Sequence, residues 1–320
     1  MFLDNSHMFW CDSKQFKLML KAGLFVHKQY YIDRAGSLRE GDNVKEAATQ
    51  MIAAWHRWLD TCEELQTYRD KAAVLGITLK HDDFDFTKNG DVRLSKARDI
   101  INGVYTIPFF VKEVGPSVFA NVENDIRVRN GVLKIRNNST ILRSIADMFA
   151  CFDIKGIHTI DMSEFDSRGI ESFFGLFYGA HIKHVNLTNL CFDRVKDIAG
   201  MFSFSHIEGL HFPTVDMSRC GVIDDLCSNC RYLRYFDGAG MKNMQNIIAA
   251  THIFYNCSSL VSLDLSNLKF ETLVSAHDMF KGCSNIQSVK LEYFAKYTRD
   301  IESRSAFEDC PKLKEVIFVK

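Results

Sequence analysis

Phe254-Tyr-Asn-Cys-Ser-Ser-Leu-Val-Ser-Leu-Asp-Leu-Ser266 decides the fold, because the chain repeats its pattern. The spacing apolar-x-x-apolar-x-apolar appears as Ile157/Ile160/Met162, Ile182/Val185/Leu187, Ile207/Leu210/Phe212 and Leu233/Phe236/Gly238. It continues as Leu260/Leu263/Leu265, Ile286/Val289/Leu291 and Leu313/Val316/Phe318. The starts lie 25, 25, 26, 27, 26 and 27 residues apart. A second marker precedes them: Met148-Phe149, Leu176-Phe177, Met201-Phe202, Leu226-Cys227, Ile253-Phe254, Met279-Phe280 and Ala306-Phe307. The last two apolar positions of each unit alternate at period two, the pattern of a short strand with one buried face. The stretch before each Phe marker leaves room for one or two helical turns. One unit cannot bury its own apolar face, whereas several in register can. The units therefore predict a solenoid with one short strand per 25–27-residue unit.

The cysteines follow the same period. Cys230, Cys257, Cys283 and Cys310 each stand three residues before a strand start. Stacked coils would align them as a ladder of free, buried thiols. Cys227-Ser-Asn-Cys230 has the spacing of a redox or zinc pair, but both members fall on repeat positions and no second pair complements them. No metal and no cofactor is expected.

The units resemble the BspA-type leucine-rich repeat family, whose pattern is Met-Phe-x-x-Cys-x-x-Leu-x-x-Leu-x-Leu-Ser. The closest matches are Phe254 to Ser266 and Met279-Phe-Lys-Gly-Cys-Ser-Asn-Ile286, and the resemblance covers about residues 146–320. The units at 157, 182 and 207 lack the Cys, and the unit at 233 has Gly238 at a core position. The resemblance implies a recognition protein, many relatives being surface-exposed, rather than an enzyme.

Residues 1–120 lack this period. Val44, Ala48, Met51, Ile52, Trp55, Trp58, Leu59, Cys62 and Leu65 fall at helical spacing and predict a helix to about Leu75. Residues 13–28 predict another, Ser95–Asn102 a short one, and Tyr105–Val111 a strand. Asn89-Gly90 predicts a hairpin turn; the alternative, a calcium loop starting at Asp85, has Lys96 where a bidentate Glu belongs. The fold class expected is α+β: a mainly helical domain over 1–120, then a leucine-rich-repeat solenoid over 121–320. A second hairpin turning at Asn130-Gly131 would cap the solenoid's N-terminal end, its second strand starting the stack. The final strand, ending near Phe318, would present an open edge with Ile317 and Val319 on its outer face, suited to self-association or partner docking.

Among the 320 residues, 39 Lys+Arg nearly cancel 40 Asp+Glu, so no net field attracts nucleic acid or anionic lipid. No stretch nears 18 uninterrupted apolar residues, which speaks against a transmembrane helix. The absence of a signal peptide pattern points to a cytoplasmic protein. G-x-S-x-G, Walker A, H-E-x-x-H and G-x-G-x-x-G motifs do not occur, so no catalytic residue is assigned. The residues alternating with the buried strand positions should form the binding face of the solenoid. They are Asp161, His184, Asn186, His211, Tyr235, Asp237, Asp264, Lys290, Ile317 and Val319. The expected function is steric binding or blocking of a protein partner, in the manner of a phage or mobile-element inhibitor of a host factor. A BspA-type surface adhesin is one alternative. The other is an enzymatic or nucleic-acid-binding activity in residues 1–120, targeted by the solenoid.

Overall fold

The repeat becomes one coil of a parallel β-solenoid with about seven turns. The structure is a computed structural model and describes residues 84–86, 92–97, 100, 102–107, 111–119, 129–292 and 305–319. Its strands are β1 (Phe84–Phe86), β2 (Val92–Leu94), β3 (Val104–Ile107), β4 (Glu113–Val114), β5 (Val132–Asn137), β6 (Thr159–Asp161) and β7 (His184–Asn186). There follow β8 (Gly209–His211), β9 (Val215–Asp216), β10 (Tyr235–Asp237), β11 (Met241–Lys242), β12 (Ser262–Leu265), β13 (Ser288–Glu292) and β14 (Glu315–Val319).

One side of the solenoid is a column of parallel strands in three segments: β3-β5-β6-β7, β8-β10 and β12-β13-β14. The register pairs residues one repeat apart, as Ile160 with Val185, Leu210 with Phe236, and Leu263 with Val289. A second column of parallel bridges runs Glu113–Ser144–Ser172–Asp197–Val222–Ala249–Ser275. Within a strand segment, neighbouring units up to Ser275 therefore pair twice, once at the strand and once at this bridge. The turn carrying the Phe marker lies between the two.

That turn is not helical, which corrects the expectation of helical turns. Two residues four apart in each turn have left-handed backbone: Asp147 and Cys151, Gly175 and Gly179, Gly200 and Phe204, Asp225 and Asn229, His252 and Asn256, Asp278 and Gly282. A left-handed residue breaks an α-helix, and Gly, Asn and Asp adopt that conformation most readily. Successive amides then alternate in their partners. Asn229 N–H reaches the Tyr255 carbonyl one coil on, whereas Cys230 N–H turns back to Cys227. The corner is thus a hydrogen-bonded ribbon along the solenoid.

Phenylalanine rings stack along the inside of this ribbon. Phe119, Phe149, Phe177 and Phe202 lie 4.9–5.3 Å apart, interplanar angles 7–8°. Phe254, Phe280 and Phe307 form a second stack. All but the half-buried Phe307 are fully buried, and full burial of a ring contributes about 1.5–3 kcal/mol. Cys227 interrupts the series. Phe212 and Phe236, from the strand side, fill the space with edge-on and tilted contacts to Phe202, to each other and to Phe254.

The expected α+β class is overturned: the described residues contain no α-helix, only strands, turns and single 3₁₀ turns. A mainly helical N-terminal domain is not what they form. Ser95–Ala97 are irregular, and the strand expected over 105–111 is β3 at Val104–Ile107. The helices expected over 13–28 and 44–75, with Trp55 and Trp58, lie outside the described residues. β1 and β2 do pair antiparallel, as the Asn89-Gly90 hairpin requires. The parallel stacking extends upstream of residue 121. β5 is flanked by β3 and β6, both parallel, and β4 pairs with β2. Both sides of β5 are therefore occupied; the first half of the hairpin expected at Asn130-Gly131 falls outside the described residues. No helix among the described residues is long and apolar enough to cross a membrane.

Candidate functional site

The strand register brings the expected binding residues into rows on the outward sheet face. Asp161 pairs with Asn186, His211 with Asp237, and Asp264 with Lys290 and then Ile317. His184 lies beside Thr159, Tyr235 beside Gly209, and Val319 beside Glu292. The repeat length continues the rows across the two breaks between sheet segments.

Four of these residues have a job in the fold. The Oδ1 atoms of Asp161, Asn186, Asp237 and Asp264 accept the N–H two residues on, from Ser163, Thr188, Ala239 and Ser266, at 2.9–3.0 Å. Such an Asx turn ends the strand and satisfies an amide that leaves the ladder. The row changes residue type where this turn cannot form. Two residues after His211 stands Pro213, which has no N–H. Two residues after Lys290 the chain is still in β13. His211 and Lys290 instead bond to the Asx residue of the next or preceding coil. His211 Nδ1 lies 2.7 Å from Asp237 Oδ2, and Lys290 Nζ 3.2 Å from Asp264 Oδ2. The Ala239 amide, and then His211, hold the Asp237 carboxyl below its ordinary value.

Tyr235 is 58% exposed in the middle of the face, with its hydroxyl turned to the Asp237 carboxylate. His184 and Ile317 are also exposed, while Val319 is half-buried. The face is thus a polar sheet with one large aromatic at its centre.

The cysteines form the ladder the repeats require. The thiols of Cys230, Cys257, Cys283 and Cys310 donate to the carbonyls of Phe202, Cys227, Phe254 and Phe280, at 2.9–3.0 Å. All described cysteines are free. Burial pushes the Cys283 thiol up to about 12 and raises Cys227 and Cys257 well above the usual range. Cys227 and Cys230 therefore belong to the core. Among the described residues no cluster of His, Cys, Asp and Glu could hold a metal ion.

A second surface lies on the turn corner and escaped the sequence reading. It is a cleft of about 560 Å³ with Phe174, Tyr178 and Phe204 on one wall. These rings are 46, 41 and 49% exposed, and Tyr178 and Phe204 meet at 5.4 Å. Phe204 holds a left-handed slot, φ 60°, where other coils place Cys151, Gly179, Asn229, Asn256, Gly282 and Asp309. A side chain with Cβ in this conformation costs about 1–2 kcal/mol. The signal in the sequence was this large Phe in a column otherwise made of small or short polar residues.

No family model matches the sequence, and no curated protein or solved structure is significantly similar to it.

Proposed function

We propose that the protein is a non-enzymatic recognition module that binds a protein partner through its outward sheet face. The observation that carries this reading is Tyr235. It is more than half exposed on the sheet face, between the His211–Asp237 pair and a glycine, and its hydroxyl lies against Asp237. Exposed tyrosines on rigid platforms are the usual anchors of protein interfaces. A repeat solenoid supplies the platform, since stacked coils fix a row of side chains without spending loop entropy on binding. The BspA-type spelling of the last units supports the same class. Binding would act sterically, by covering the partner's surface.

Photo-crosslinking tests it. A benzoylphenylalanine placed at position 235 should capture one protein in the native cells, and excess unmodified protein should compete it away. The same probe at Val274, exposed on the bridge side, should not. Equal capture from both positions, or none from position 235, removes the sheet face as the binding site.

A further inference from the structure

The corner cleft has a composition that the solenoid does not explain. In one coil the ribbon carries the small residues Ala199, Gly200 and Ser203 next to Phe204, and these floor a trough. The aromatic wall of Phe174, Tyr178 and Phe204 stands on one side. Asp224, Asp225 and Asp278 stand on the other, with His252 set 3.7 Å from Asp225 and 3.8 Å from Asp278. Three carboxylates against one imidazole leave that wall acidic. An acidic wall facing exposed aromatic rings matches a cation that can lie on a ring and pair with a carboxylate. The trough spans the coils from Phe174 to Asp278, four coil spacings of roughly 4.8 Å, so about 19 Å. That length accommodates about six residues of extended chain.

We infer that this cleft binds an extended basic segment of a protein partner, taking its Lys or Arg side chains between the Phe204 wall and the Asp225 wall. The inference rests on the protein-binding reading above but uses a different surface. Phe204 supports it from the side of the fold. Its slot favours glycine, yet the chain places a large exposed ring there, at the mouth of the trough. A residue that the fold disfavours and the cleft displays is the signature of a binding position.

The test is fluorescence anisotropy with a labelled Arg-Gly-Arg-Gly-Arg-Gly peptide and the full-length protein. Saturable binding that weakens with salt is expected, with none for the Glu-Gly counterpart. Phe204→Gly should weaken binding at least tenfold while raising the melting temperature, because the slot then matches Gly179 and Gly282. Asp225→Asn, which keeps the left-handed backbone, should weaken binding similarly without changing the melt. Tyr235→Ala should leave it unchanged. Loss of peptide binding in Tyr235→Ala would move the site to the sheet face and overturn the inference. Unaltered binding in Phe204→Gly would do the same, as would displacement of the peptide by an equal concentration of spermidine. None of these results bears on crosslinking from position 235, so the two proposals fail separately.

Discussion

The ring of Phe236 fills the side-chain space of Gly238: a Cβ at Gly238 would lie 2.9 Å from Phe236 Cε1. This explains two departures from the repeat at once. The inner strand slot that holds Ile160, Leu210 or Leu263 in other coils holds a larger ring here, and it needs room. Gly238 supplies some, and Cys227, small where other coils have Phe, supplies more. Phe236 then reaches Phe254, ring centroids 4.9 Å apart.

Restoring the repeat at this coil should therefore harm it. Cys227→Phe makes the marker uniform but overpacks a filled site, at a cost of about 1–3 kcal/mol. Thermal melts should show a lower midpoint than the parent protein. Adding Phe236→Leu should recover part of the loss. A midpoint that rises in the single variant would show that the space is not filled.

The Asx turns should separate charge from hydrogen bonding. Asp264→Ala removes the acceptor for the Ser266 N–H and should cost about 1 kcal/mol. Asp264→Asn keeps that acceptor and should be close to neutral. Lys290→Ala breaks only an exposed ion pair and should change the melt little. Urea titrations of the three variants measure this order.

Acid should destabilise the solenoid through the same carboxylates. Asp216 and Asp237 are held low chiefly by the Ser218 and Ala239 amides, Asp264 chiefly by the Ser266 hydroxyl, and Glu164 by Lys134 and Arg136. A folded-state pKa below the unfolded value means that the unfolded chain binds more protons as pH falls. This stability is present above about pH 4 and is lost as pH drops through the folded values. His206, lowered by burial and by His181, adds a loss beginning below about pH 6.5. Melting temperature recorded from pH 7 to pH 3 should fall in that sequence. A rise below pH 4 would contradict it.

Thiol labelling should follow position in the coil. Among the described cysteines, Cys151 is exposed and should alkylate first, with Cys191 slower. Cys220 and Cys283, both pushed up to about 12 by burial, and Cys227 and Cys257 should react only when the solenoid opens. Peptide mapping after timed iodoacetamide exposure reads each site. In the unfolded chain these thiols ionise from about pH 8.5, so stability should also fall as pH rises past that point.

The strand column was legible because period two is explicit in each unit, and the repeat length fixed its register. The corner was not. Phe254 and Cys257 are three apart, a spacing that reads as a helical turn. The decisive signal was Gly, Asn, Asp and His recurring four apart, as in His252/Asn256 and Asp278/Gly282. The acidic row was visible, but its structural role was not read. Asp161, Asn186 and Asp264 are each followed two residues later by Ser or Thr, the mark of an Asx turn. The cleft was invisible because Phe174, Tyr178 and Phe204 occupy different positions of their repeats and converge only when the coils stack.

The strand ladder thins between β7 and β8, where the Glu208 N–H still reaches the Lys183 carbonyl, and again between β10 and β12, while the corner ribbon and its bridges run unbroken past both places. Mechanically, the ribbon is a spine and the sheet is three plates hung from it. A bending load would open the seams between plates before it stretched the spine. Tyr235 and His211 share the middle plate, so a partner gripping them would hold one stiff tile and leave the solenoid free to flex on either side.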